Sequence, residues 1–160
     1  MILPMQSVLE ALHSGDYDTA FETLVRTLAV GQGPAAGDAA LLLAEAYSLY
    51  GEGGVEGAHR ALEEGLASVA GLDTRPRYRA ILGELRALEG APEEEVRQIL
   101  PQTDDPQALY HQAQALMYLG LPEEALKILE QPLELPAFLS WRADTLKGKA
   151  YERLGQALEA

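Results

Sequence analysis

Glycine recurs at positions 15, 51, 90, 120 and 155, at intervals of 36, 39, 30 and 35 residues. This spacing restricts the possible fold more than any other feature of the chain, because self-similarity at a period of about 20–50 residues marks a stacked repeat. Seven residues before each glycine stands Val8, Ala44, Gly83, Ala113 or Gly148, small in four of the five cases. Five residues after it, with a two-residue insertion in the second unit, stands Ala20, Ala58, Glu95, Ala125 or Ala160. Four positions further on comes Leu24, Leu62, Ile99 or Leu129. Small side chains at two fixed places let two helices approach closely. A glycine between them suits a helix C-terminus, where the left-handed conformation costs it least.

Composition agrees with helices. Leucine (28) and alanine (25) make up 53 of the 160 residues, against 16 for valine, isoleucine and threonine together. Leucine and alanine lose little rotamer freedom in a helix, whereas strands draw on β-branched side chains. The chain has no cysteine, which excludes a disulfide framework, a cysteine-zinc site and a thiol nucleophile. It also has no asparagine, hence no N-glycosylation site, and nine arginines against three lysines fit a GC-rich, bacterial-type genome. The formal net charge is −13, which repels phosphate backbones and argues against nucleic acid as a partner. The apolar run from Ala39 to Ala46, broken by Glu45, is far shorter than the roughly 20 residues needed to span a bilayer. Residues 1–5 lack the basic region and apolar segment of a signal peptide, so the expected location is cytoplasmic.

The pattern resembles the tetratricopeptide repeat, a helix–turn–helix of about 34 residues. The stretches that carry the likeness are Leu43-Ala44-x-x-Tyr47-x-x-x-Gly51, Leu82-Gly83 with Gly90, and Gly148-x-x-Tyr151-x-x-Leu154-Gly155. Residues 15–20 and 120–125 look like the start of the family's second helix. The early tryptophan of the family is absent, since Pro4, Ala40, Arg79, Leu109 and Asp144 occupy that place, and Glu95 stands where a small residue is usual. The resemblance implies an all-α, right-handed superhelix of stacked antiparallel helix pairs. It would form a single domain over 1–160, in units 1–36, 37–75, 76–105, 106–136 and an incomplete 137–160.

Capping chemistry places helices near 4–13, 16–30, 38–50, 55–70, 76–89, 92–100, 106–119, 122–130 and 137–154, with a stub after 156. Asp38, Thr74 and Asp104 or Asp105 are candidate caps of first helices. Pro92, Pro106, Pro122 and Pro136 suit first helical positions, and Glu93–Glu95, Glu123 and Glu124 favour the positive end of the helix dipole. Residues 31–37 are expected to be a flexible turn between repeats.

Candidate catalytic patterns are thin. Glu-x-x-His occurs twice, as Glu10/His13 and Glu56/His59, the spacing by which di-iron bundles project ligands inward. Such sites need further glutamates from long neighbouring helices, so the expectation is that the two pairs lie on different helix pairs and hold no metal. His111 with Ser48 or Ser140 carries no nucleophile signature, and Gly51-Glu52-Gly53-Gly54 follows no strand and places a glutamate where a phosphate would sit. The chain is therefore expected to be no enzyme and to need no cofactor. A helical metalloenzyme and a peptide-sensing regulatory module of a signalling or transcription system are the alternatives.

Function is expected to reside in a protein- or peptide-binding surface, which in the resembled family is lined by first helices. Its acidic stretch would be Asp38, Glu45 and Glu84, its aromatic-polar stretch Tyr110, Gln114, Met117 and Tyr118, and its basic part Arg77, Arg142 and Lys149. Tyr110 and Tyr118 are the expected anchors, because tyrosine offers contact area at low entropy cost. The family's lysine–asparagine carboxylate clamp has no counterpart, since the chain contains no asparagine. The last unit ends five residues past Gly155, so Leu146, Ala150, Leu154 and Leu158 are expected to lack cover from their own chain. Together with Trp141 they suggest a homodimer or a longer natural chain.

Overall fold

A computed structural model describes residues 5–30 and 34–159, with side chains described for 6–29 and 34–155. Among these the chain is all-helical: α1 (Met5–Ser14), α2 (Tyr17–Val30), α3 (Pro34–Ser48), α4 (Val55–Ser68), α5 (Pro76–Leu88), α6 (Glu93–Ile99), α7 (Pro106–Tyr118), α8 (Pro122–Leu129) and α9 (Ala137–Glu159). Short 3-10 turns occupy Gly51–Gly54 and Leu72–Thr74. No described helix is long and apolar enough to cross a membrane.

The repeat glycines behave as their spacing predicts in four of five cases. Gly15, Gly51, Gly90 and Gly120 all have positive φ and each sits between the two helices of a pair. At Gly120 (φ 79°) any other L-residue except asparagine or aspartate would strain the turn that sends the chain from α7 into α8. The alanines at the matching place in the second helices, Ala20, Ala58 and Ala125, have no exposed surface. Gly155 departs from the series. It lies inside α9, which runs without a break to Glu159, so the expected stop and stub are not found. Alanine, leucine, glutamine and glutamate after Gly155 are strong helix formers, and no packed turn is there to oppose them.

The chain divides into two compact units, Met1–Tyr78 and Arg79–Ala160. In the first, α1 packs on α2, α2 on α3 and α3 on α4. The middle helix is buried almost all round, from Ala36 to Ser48, which is what its alanine–leucine run demands of a neighbourhood. Close approach of α3 and α4 depends on Gly65, where a Cβ would come within 2.4 Å of the Ala40 Cβ. The flexible turn expected over residues 31–37 is corrected for its second half: Pro34 opens α3, so Asp38 is inside the helix and does not cap it. Buried Ala36 and Gly37 explain this, since Gly37 lies against the side chains of Leu72 and Val69. Packing there outweighs the low helix propensity of glycine. Residues 31–33 lie outside the described residues.

Tyr78 closes this unit and is buried. Burial raises its pKa first, and the nearby charges of Asp73 and Glu63 add to the rise. The protonated phenol is therefore favoured in the folded chain. Its contribution is complete below the ordinary value of 10.0 and is lost as pH rises through the higher folded value. Urea midpoints of wild type and Tyr78→Phe measured upward from neutral pH should run parallel up to the ordinary value of 10.0 and diverge above it. The wild type is expected to lose more stability, and parallel curves would show that Tyr78 contributes nothing.

In the second unit α7 packs on α8, α8 on α9, and α9 also reaches α7. Ala87 of α5, Val96 of α6 and Ala115 of α7 share a buried cluster edged by Ala91, Leu100 and Leu119. Gly83 admits Leu100, whose Cδ2 would stand 2.5 Å from an added Cβ. Arginines finish the helix ends: Arg79 donates to the carbonyls of Ile99 (2.9 Å) and Gln98 (3.0 Å), and Arg153 to that of Met117 (2.8 Å). Glu95, anomalous in the repeat pattern, is accounted for by its ion pair with Arg86 at 3.1 Å. Asp105 caps α7 by accepting from the Ala108 N–H at 2.9 Å, with Pro106 at the first turn. Pro92 is itself the cap position of α6 instead of its first helical residue, and Thr74 bonds back to Gly71 within a 3-10 turn instead of capping α5.

Candidate functional site

The residues expected to line a binding surface divide sharply by burial. Glu45 has no exposed surface, and its carboxylate meets the Arg77 guanidinium at 3.1 Å. Asp38 is half-exposed and pairs with Arg75 at 3.1 Å. Glu84 is buried against His111, with Oε1 and Nδ1 2.8 Å apart, and the Tyr110 ring stands edge-on to the imidazole at 5.2 Å. Met117 is buried as well. Four of the ten candidates, Glu45, Glu84, Tyr110 and Met117, are thus core residues, and the assignment of Tyr110 as a surface anchor is corrected. The physical reason is that a buried carboxylate requires a partner, and Arg77 and His111 come from other helices.

The remaining candidates do reach the surface. Tyr118 is 37% exposed, Gln114, Arg77 and Arg142 are partly exposed, and Lys149 is exposed. The Arg142 guanidinium lies 4.4 Å from the centre of the Trp141 ring, itself 51% exposed. At the C-terminal end the expected bare face is corrected: Leu146 and Ala150 are buried by their own chain because α9 packs along α8. Leu154 is partly exposed, and the side chain of Leu158 lies outside the described residues.

Glu10 and His13 are exposed on α1, where Glu10 accepts from Gln6, and Glu56 and His59 are on α4, where Glu56 pairs with Arg60. Among the described residues no three His, Asp or Glu side chains are grouped so as to hold a metal ion. A cavity of about 340 Å³ lies in the second unit, lined by Arg97, Leu100, Pro101, Gln102, Gln112, Leu116, Glu124 and Lys127. It is at the small end of the ligand-site range. Its guanidinium is already committed: Arg97 bonds Glu93 and Glu124, and these hydrogen bonds, that to Glu124 first, raise its pKa.

One grouping escaped the sequence reading. Tyr17 and Phe21 on α2 meet Tyr47 on α3 and Tyr50 in the turn that follows it, with ring centres 4.6 Å apart for Phe21–Tyr47, 5.6 Å for Tyr17–Tyr50 and 6.0 Å for Phe21–Tyr50. The i, i+4 spacing places Tyr17 and Phe21 on one face of α2, and that was the available signal. Which faces meet is decided by α4, where Gly57 leaves room for the Tyr47 ring: a Cβ there would fall 2.6 Å from Tyr47 Cδ1. Tyr50 is half-exposed and the other three rings are partly so. Burial first, then the charges of Tyr17, Asp18 and Tyr47, raise the Tyr50 pKa, so its phenol stays neutral well past physiological pH.

No protein-family model, curated protein or solved structure significantly matches this chain.

Proposed function

We propose that the chain is a non-catalytic, tetratricopeptide-like helical-repeat protein that acts by binding another protein or peptide. The observation that carries this reading is the shared register of four helix pairs. Each pair has a left-handed glycine at the turn, and three of the four have a fully buried alanine at the same place in the second helix. Repeats of this kind cannot bury their apolar faces singly, and stacking leaves extended side-chain surfaces on which function resides. On this reading Tyr118, Gln114, Arg142 and Lys149 are the binding residues of the second unit that reach solvent.

The test is affinity capture from a native lysate over the immobilised chain, eluted with a salt gradient. Wild type is expected to retain a defined protein. A Tyr118→Ala/Lys149→Glu variant with an unchanged helical spectrum should release it at clearly lower salt, because one change removes contact area and the other reverses a charge. Failure to retain any protein in stoichiometric amount would overturn the scaffold reading, and identical elution from both proteins would move the surface elsewhere.

A further inference from the structure

We propose that the cluster of Tyr17, Phe21, Tyr47 and Tyr50 is a docking surface for a cationic, arginine-bearing segment of a partner protein. The proposal rests on the reading of the chain as a binding scaffold and adds to it a second surface, on α2, α3 and the turn after α3, with a defined ligand chemistry.

Ring pairs between α2 and Tyr47 or Tyr50 stand 4.6–6.0 Å apart, each of the four rings keeps some exposed surface, and Tyr50 is half-exposed. Aromatic faces carry negative quadrupole charge and attract cations, most strongly where water is excluded. The fixed charges around the cluster have the same sign. Asp18 lies within electrostatic reach of the Tyr50 hydroxyl. Asp16 and Glu52, next to Tyr17 and two positions after Tyr50, are exposed, and none of these three carboxylates makes an ion pair among the described residues. The nearby cation on the same helix, Arg26, is tied to Glu22 at 2.5 Å, and the Arg60 guanidinium on α4 is tied to Glu56. Residues 1–74 carry 2 basic and 11 acidic groups, so the local field repels phosphates and acidic peptides and draws basic ones.

Guanidinium suits this surface better than ammonium. It is planar and weakly hydrated, and it can stack on a ring while its N–H groups fork onto a neighbouring carboxylate. A lysine offers a compact, strongly hydrated charge that must be stripped of water for the same contact.

The experiment is a titration of the full chain with a labelled decapeptide of alternating arginine and alanine at physiological ionic strength, beside its lysine and glutamate counterparts. The arginine peptide is expected to bind, the lysine peptide several-fold more weakly, and the glutamate peptide not at all. Tyr50→Ala, which leaves every charge in place, should weaken the arginine peptide about tenfold, and Glu52→Lys should weaken it comparably. Amide shift changes should concentrate on α2 and on residues 47–52. Wild-type affinity in Tyr50→Ala would overturn the proposal, because it would reduce the attraction to diffuse charge; so would absence of binding by the arginine peptide. If that peptide fails while a captured partner still depends on Tyr118 and Lys149, the aromatic surface is refuted and the scaffold reading stands.

Discussion

Replacing Glu84 by leucine is expected to lower folding stability by about 3–5 kcal/mol, a large part of the 5–15 kcal/mol typical of a native protein. Glu84 is 2% exposed and His111 fully buried, with 2.8 Å between Oε1 and Nδ1. Removing the carboxylate takes away the hydrogen bond at Nδ1 of an imidazole that cannot return to water, and a buried polar group that loses such a bond is costly. The pair is not required for stability as such. Glu84→Leu/His111→Leu places apolar side chains of similar volume in the same space and should recover most of the loss. Urea denaturation of the two single variants and the double variant completes the cycle. A double variant whose loss is merely the sum of the single losses would show that the two groups do not act as a unit.

The second large effect is expected from a single methyl group. Gly54→Ala should cost about 3 kcal/mol, at the upper end of the usual overpacking range. An ideal Cβ at Gly54 would stand 1.8 Å from the Tyr47 carbonyl oxygen and 2.8 Å from its carbon. These are backbone atoms, which no rotamer change can move aside. The φ and ψ of Gly54, −102° and −4°, are open to alanine, so the effect is contact alone and not backbone strain. Gly53→Ala is the internal control, because nothing lies within 4 Å of its added Cβ, and it should change stability by less than about 0.5 kcal/mol. Equal thermal midpoints for the two variants would mean that the entry to α4 yields without cost. A shifted entry would also disturb Tyr47 and with it the aromatic cluster, so Gly54→Ala should weaken the arginine peptide whereas Gly53→Ala should not.

Helix positions were legible because they depend on neighbours in sequence. Glycine at the turns and proline with carboxylates at the helix starts act within one or two turns of chain, and Pro106 and Pro122 open α7 and α8 as expected. Local preference is overridden where a distant contact outweighs it. Gly37 is helical because it lies against Leu72 and Val69, some thirty residues on.

For candidate sites the division is sharper. Sequence alone determined that the chain is all-helical among the described residues, that glycines 15, 51, 90 and 120 mark left-handed turns between helices, and that the first half of the chain is strongly acidic. These properties follow from backbone conformation, hydrophobic pattern and charge, all of which are written residue by residue. Tertiary structure decided which side chains of each helix meet solvent. Glu45 and Glu84 look like surface chemistry in the sequence, yet they are buried, with Arg77 and His111 supplying partners across 32 and 27 residues of chain, and Tyr110 is buried beside the His111 ring. Tyr50 is half-exposed beside Tyr17 because Gly57 seats the neighbouring Tyr47 ring against α4. Exposure is a property of helix pairs in contact, and a hydrophobic period of 3.6 specifies the face of one helix without specifying what will lie against it.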